Sequence, residues 1–266
     1  MFNKTIISSR QNQKIKEIRK LIRKNKKERI FLLEGSKIIK EALDLNYNFI
    51  YLVVTLDYLK KNEKMMLLIE EKKIPYFIVT PEVLLSITEL DTPPGILGLV
   101  KIKQYRENFG NRNIFLLIED LQDPGNLGTI FRLAQGFGVN AIYLSENSVS
   151  PFNPKVIRAS MGAVLHVKFF DETNIIRKIK EFRKLGIKIY GTNPHKGKNI
   201  NEMKFNLPLG LVIGNESRGI SPEIINLVNE NIKIPLEKNL DSLNVAVATG
   251  IILYEIKNRF LRRKNE

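Results

Sequence analysis

Apolar and polar positions alternate along this chain in two rhythms, and the change from one to the other marks the elements. Near the N-terminus Ile15, Ile18, Leu21 and Ile22 recur at helical spacing among lysines and arginines, which predicts an amphipathic helix with one buried stripe. Short runs rich in branched and aromatic residues follow. FLLEG (31–35), FIYLVV (49–54), YFIVT (76–80) and ILGLVKI (96–102) read as strands, with helices over 37–45, near 62–72, and from Thr80-Pro81 onward. The charged stretch KQYRENFGNRN (103–113) carries no apolar period and reads as a linker. Beyond it the pattern predicts strands at 114–120, 141–145, 166–170, 187–192, 209–214 and 232–235, separated by helices at 126–137, 154–161, 172–185, 221–229 and 243–260. Such alternation predicts a mostly parallel sheet with helices on both faces. The expected organisation is a small α/β domain over 1–103, a linker over 104–113 and a larger α/β domain over 114–266.

Composition sharpens this picture by exclusion. With 266 residues and 43% hydrophobic content, the chain has enough apolar material for two cores. The absence of cysteine rules out disulfides, thiolate zinc sites and cysteine nucleophiles. The two histidines, His166 and His195, have no partner at ligand spacing, so they read as core or loop residues and no metal is expected. The N-terminus lacks the apolar centre of a signal peptide, and the longest apolar run, VAVATGIILY (245–254), is too short to span a bilayer; a cytoplasmic location is expected.

Charge changes the picture more. Of a net +15, nine charges fall within residues 1–30, where eleven lysines and arginines face only Glu17 and Glu28. A polyanion partner with salt-sensitive binding is expected, with Arg10, Lys14, Arg19 and Arg23 as candidate contacts.

Glycines and isolated polar side chains supply the candidate chemistry. GFGVNA (136–141) matches the dinucleotide fingerprint G-x-G-x-x-A, but a helix precedes it and a strand follows, the reverse of the required order. Gly136 and Gly138 read instead as a helix stop and turn. Three other stretches pair small residues with polar ones that an apolar core would not tolerate: DPGNLGTIFRLAQGFG (123–138), LVIGNESRG (211–219) and IPLEKNLDSLNVAVATG (234–250). Asn126 is suited to cap the helix it opens, and Arg132, six residues on, lies about 9 Å along the axis and ~120° around it. Glu216 ends an apolar strand at the usual ligand crevice of α/β sheets. Ser242 and Asn244 precede a long apolar helix. Taken singly, Asn126 also reads as a cap, Arg132 as a surface cation, Gly214 as a turn glycine and Ser242 as an N-cap.

In order and spacing these three stretches resemble the SpoU/TrmH family of RNA ribose 2′-O-methyltransferases, over roughly 113–260 and more weakly before that. The resemblance implies a knotted, mostly parallel catalytic sheet preceded by a small ribosomal-protein-like α/β RNA-binding domain. It implies S-adenosylmethionine as methyl donor, RNA as partner, and a homodimer formed through the catalytic domain. By the same resemblance Arg132 helps activate the ribose hydroxyl in a site completed by the other subunit, while Asn126, Glu216, Ser242 and Asn244 position ribose and donor. Thr192, Ile213, Gly214, Asn215, Ile234, Leu236 and Leu243 would contact the donor. Lys155 and Arg158, on another helix start, either face RNA or form a capped surface helix. Methyl transfer from a sulfonium extinguishes its charge, so no metal is needed for the leaving group. The expected substrate is 23S rRNA; tRNA under the same chemistry, or a silent rRNA-binding assembly factor, are the alternatives.

Overall fold

A computed structural model describes residues 5–194, 196–237 and 240–262, with side chains through 260; Lys4 and His195 lie outside the described residues. The chain divides into two compact units, Met1–Gln104 and Tyr105–Glu266.

In the first unit α1 (Gln13–Arg23) and α2 (Asn25–Glu28) precede β1 (Ile30–Glu34). Then come α3 (Ser36–Asp44), β2 (Asn48–Thr55), α4 (Leu56–Lys61), α5 (Glu63–Glu71), β3 (Tyr76–Val79), α6 (Pro81–Leu85) and β4 (Ile96–Lys101). The sheet order is β1-β4-β2-β3, with β4 antiparallel to both neighbours and β2 parallel to β3. The Asn12 side chain caps α1 by accepting from the Lys14 N–H at 2.9 Å. The expected stripe packs as its spacing requires: Ile15 and Ile18 are fully buried against Ile30, Leu32, Val53 and Leu97, with Leu21 and Ile22 at the edge. The basic segment is therefore part of a core as well as a charged surface. The helix expected near 62–72 is α5, and a short helix with no counterpart in the expectation, α4, precedes it, capped by the Thr55 side chain and ended at Asn62.

The second unit runs β5 (Ile114–Ile118), α7 (Pro124–Phe137), β6 (Ala141–Leu144), α8 (Pro154–Ala159), β7 (Phe169–Phe170), α9 (Ile175–Lys184), β8 (Lys188–Thr192) and β9 (Lys198–Asn199). It ends with β10 (Leu209–Ile213), α10 (Pro222–Ile225), β11 (Glu230–Lys233) and α11 (Val245–Arg262). All seven strands are parallel to their neighbours, in the order β7-β6-β5-β10-β8-β11-β9. The central strands β5 and β10 are buried along their whole length, as a sheet covered on both faces requires. On one face Ile175, Ile179 and Phe182 of α9 and Ile224 of α10 pack with Phe115, Leu117, Tyr143 and Val212. On the other, α7 packs against both α8 and α11. Two expectations needed revision: the strand at 166–170 shrinks to Phe169–Phe170, because His166 and Val167 donate back to the Ala163 carbonyl in a turn, and the helix at 221–229 closes after one turn; β9 had no sequence signal.

Residues of the expected linker are anchored in the second unit rather than free. Phe109 packs edge-on to Phe115 and Phe182, and Tyr105 to Phe169. Lys178 Nζ lies 2.8 Å from both Glu107 and Glu181. Burial works against the Lys178 charge, but the two carboxylates outweigh it and raise its pKa. No helix among the described residues is long and apolar enough to cross a membrane.

Strand order reverses between β5 and β10: β6 and β7 extend to one side, β8, β11 and β9 to the other. Such a switch point opens a crevice beyond the strand C-termini. Helix α7 starts there and is held close to α8 by Gly128, where an added Cβ would lie 2.4 Å from the Ala159 Cβ and 2.8 Å from its carbonyl carbon. Gly136 also lies within α7, with nothing within 4 Å of a Cβ position; the helix stop is Gly138 alone, in the left-handed region at φ 72. Gly128→Ala is expected to cost about 1–3 kcal/mol through forced overpacking, whereas Gly136→Ala should stabilise by about 0.5–1 kcal/mol. Urea unfolding of both variants checks this, and equal effects would contradict the close approach of α7 and α8.

Candidate active site

The three polar stretches meet beyond the C-terminal ends of β5 and β10. Asp123 caps α7 by accepting from the Asn126 N–H at 2.7 Å, and Pro124 occupies the first turn. The cap is therefore Asp123 and not Asn126, a position that Asp-Pro-Gly before an apolar period signals in the sequence. Asn126 is thereby left with a free side chain, and it uses both ends. Its Nδ2 donates to Glu216 Oε1 at 3.3 Å, and its Oδ1 accepts from Asn244 Nδ2 at 2.9 Å. Asn244, in turn, caps α11 by accepting from Ala246 N–H at 2.9 Å and Val247 N–H at 3.2 Å. Ser242 does not hold that role.

Glu216 is the hub of this junction. Its carboxylate accepts from the Asp123 N–H at 2.9 Å and from the Gln122 N–H at 3.2 Å. Burial pushes the carboxyl pKa up, but the N–H groups of Asp123, Glu216 itself and Gln122, together with the Asn126 amide, outweigh it. The result lies below the ordinary glutamate value, so the side chain is ionised at neutral pH.

The turn that carries Glu216 is closed by its neighbours. Asn215 and Gly219 exchange backbone hydrogen bonds of 3.0 and 2.9 Å, and Asn215 Oδ1 accepts from the Ser217 and Arg218 N–H groups. Asn215 Nδ2 donates to the Asp120 carbonyl at 2.8 Å, which ties this turn to the end of β5. At Gly214 a Cβ would lie 2.2 Å from the Gly219 carbonyl carbon, so no other residue fits.

Behind the turn lies a cavity of about 390 Å³. Its apolar lining comes from Ile232, Ile234, Leu236, Leu243, Ala248 and Ile252, and its polar edge from Thr192, Asn215, Glu216, Arg218, Asp241 and Ser242. Gly214 also faces it. Of the seven donor contacts implied by resemblance, Ile213 alone does not line it: its side chain is buried in the sheet and its carbonyl accepts from the Glu119 N–H at 2.8 Å. Pattern reasoning had not singled out Asp120, Gln122, Asp123, Asn193, Pro194 or Arg218: Asp123 caps α7, Gln122 and Asp120 act largely through backbone groups, and Asn193, Pro194 and Arg218 line the cavity.

Arg132 is exposed on α7, away from the cavity lining, and makes no hydrogen bond or ion pair among the described residues. Lys155 is exposed and Arg158 half-buried on α8. In the first unit Arg10 and Arg23 are exposed, and Lys14 is exposed beside Glu17 at 3.2 Å. Arg19 is a correction: its guanidinium donates to the carbonyls of Ser86 at 3.0 Å and Arg10 at 3.2 Å, so it braces the fold and is not a free phosphate contact. No cluster of three or more metal-ligating side chains occurs among the described residues.

The profile of the SpoU rRNA Methylase family matches residues 113–254, and that of the MRM3-like substrate binding domain matches 12–98. An uncharacterized tRNA/rRNA methyltransferase of Synechocystis sp. is 30% identical, over 95% of this chain and 93% of its own length. The 23S rRNA (guanosine(2553)-2′-O)-methyltransferase RlmP of Bacillus subtilis is also 30% identical, over 94% of this chain and 98% of its own. Among solved structures, the AdoMet-bound rRNA methyltransferase from Sinorhizobium meliloti superposes with a TM-score of 0.84 at 26% identity, covering 97% of this chain and 98% of that one. The asparagine–glutamate–asparagine junction beside its cavity thus sits in a chain that belongs to the SpoU rRNA methylase family.

Proposed function

We infer that this protein transfers a methyl group from S-adenosylmethionine to a ribose 2′-hydroxyl of rRNA, with 23S rRNA as its substrate. The observation that carries the reading is the hydrogen-bonded junction of Asn126, Glu216 and Asn244, which gathers all three motifs at the mouth of one cavity. The rRNA 2′-O-methyltransferase activity named for the Bacillus relative, and the AdoMet named for the Sinorhizobium structure, support it.

The lining fits the donor. Apolar walls from Ile234, Leu236 and Leu243 suit an adenine ring, and the turn that Gly214 allows to fold onto Gly219 brings Asn215 and Glu216 to the edge of the same cavity. When bound, the donor supplies an electrophilic methyl group on a sulfonium. The protein's own tasks are to hold the ribose oxygen in line with that methyl and to help its proton leave. Asn126, Asn244 and Ser242 carry the positioning, with Glu216 holding Asn126 in place. A guanidinium is too weak an acid to serve as a literal base, so Arg132 acts through a neighbouring RNA phosphate or by stabilising the developing alkoxide.

Arg132 has no such neighbour among the described residues, and a second copy supplies the missing geometry. Val247, Ile251 and Tyr254 form an apolar stripe on α11 that is 53%, 38% and 59% exposed. Tyr254 packs edge-on to Phe137 of α7, the helix that carries Arg132. A homodimer formed over this stripe brings Arg132 to the partner's cavity. A trefoil-knotted second unit and a cytoplasmic location belong to the same reading. The first unit holds the RNA, with Arg10, Lys14 and Arg23 on its surface.

With donor labelled at the methyl group, label should enter rRNA as alkali-resistant ribose methylation; donor binding without any RNA label would leave only the assembly-factor reading. Arg132→Ala should abolish transfer while donor affinity is kept. Co-expressed Arg132→Ala and Asn126→Ala chains should regain part of the activity in mixed dimers, and no regain would place Arg132 in its own chain's site. Replacing Arg10 and Arg23 by alanine should flatten the salt dependence of RNA affinity by about 0.7–0.9 per lost phosphate contact. An unchanged slope would remove this surface from the interface.

A further inference from the structure

Charge on the cavity rim is unevenly committed. The charged residues lining it among those described are Glu216, Arg218 and Asp241. Glu216 is occupied by the N–H groups of Gln122, Asp123 and Asn126. Arg218 is the cation of the set, and its backbone is fixed, since its N–H donates to Asn215 Oδ1 at 3.1 Å inside the closed Asn215–Gly219 turn. Its side chain is not fixed to the same degree. The guanidinium Nη2 stands 3.6 Å from Asp120 Oδ2, and the Arg218 side chain is 75% exposed. An exposed pair at that separation contributes little and exchanges readily. Asp120, by contrast, is held in place. Ser145 Oγ donates to its Oδ1 and accepts from its N–H, both at 2.9 Å. The cation is therefore parked at the rim on a weak contact.

S-adenosylmethionine carries a single anionic group, the α-carboxylate of its methionine tail. With the adenine against the apolar walls, the tail reaches the polar rim, where a planar guanidinium matches a carboxylate with two parallel N–H donors. We propose that Arg218 is a donor-specificity residue, exchanging the Asp120 carboxylate for the α-carboxylate of S-adenosylmethionine. The proposal rests on the donor reading of this cavity.

The test compares two probes by calorimetry: S-adenosylmethionine and its decarboxylated form, which keeps the adenosine, the sulfonium and the amine. Wild-type protein should bind the decarboxylated probe about tenfold or more weakly, the scale of a lost charge-assisted hydrogen bond. Arg218→Gln should weaken S-adenosylmethionine by a similar factor and leave the decarboxylated probe unchanged, so the two losses do not add. Arg218→Lys should recover part of the affinity for the intact donor. Equal weakening of both probes would assign Arg218 a structural role and overturn the proposal. Unchanged affinity for both, with a shallower salt dependence of RNA binding, would overturn it in favour of an RNA phosphate contact. Failure of wild-type protein to bind either probe would sink the donor reading itself, a result distinct from failure of the Arg218 variant alone.

Discussion

A single carboxylate organises the second unit. Glu216 sits past the end of β10 and collects N–H groups from Gln122 and Asp123 just before α7 and from the Asn126 side chain within it. A helix N-terminus presents unsatisfied N–H groups and a partial positive charge, so an anion there is favoured twice over. The consequence is that the start of α7 and the Glu216 turn, more than ninety residues apart in sequence, share one charged acceptor. Asn126 extends the arrangement to Asn244 and hence to α11. Disturb the acceptor, and the three segments lose the common reference that sets their spacing.

Close backbone packing makes that arrangement possible. Strands β5 and β10 pair where the sheet order reverses, so their C-terminal ends open into one crevice. Gly214 allows the Glu216 turn to fold onto Gly219, and Gly128 lets α7 lie against α8. Neither glycine touches a reacting group; each removes a side chain that would separate segments the site needs together. The cavity is consequently lined by an apolar wall and a polar rim on which Thr192, Asn215 and Glu216 are set by hydrogen bonds, the division that a nucleoside with a polar tail requires.

Much of this was legible in the residue pattern, for identifiable reasons. Strands β5 and β10 read as continuous apolar runs because both their faces are covered, and the α1 stripe read correctly because Ile15 and Ile18 have no other place to go. The short α4 before Asn62 and the brief α10 were not legible, since local capping decides them and apolar period does not. Within the site, side chains that project into the cavity were visible as polar residues in apolar surroundings. Asp123 was overlooked because Asn126 offered an equally good cap three residues later, and only the fold gives Asn126 its partners at Glu216 and Asn244. Arg19 misled for the opposite reason: in a dense basic run nothing marks the one cation whose donors turn inward to the Ser86 and Arg10 carbonyls.

The chemistry then follows from a division of labour. In the proposed division, the Asn126 and Asn244 amides set geometry, the weakly paired Arg218 at the rim meets charge, and Arg132, with no partner among the described residues, serves a second copy. All of it presupposes that the cavity behind the Glu216 turn is where the donor lies. Backbone hydrogen exchange with and without S-adenosylmethionine measures this directly. The amides of the 214–220 turn and of residues 232–236 should gain protection on addition of donor, while those of the first unit stay unchanged; unaltered exchange at both segments, or protection confined elsewhere, would contradict the account.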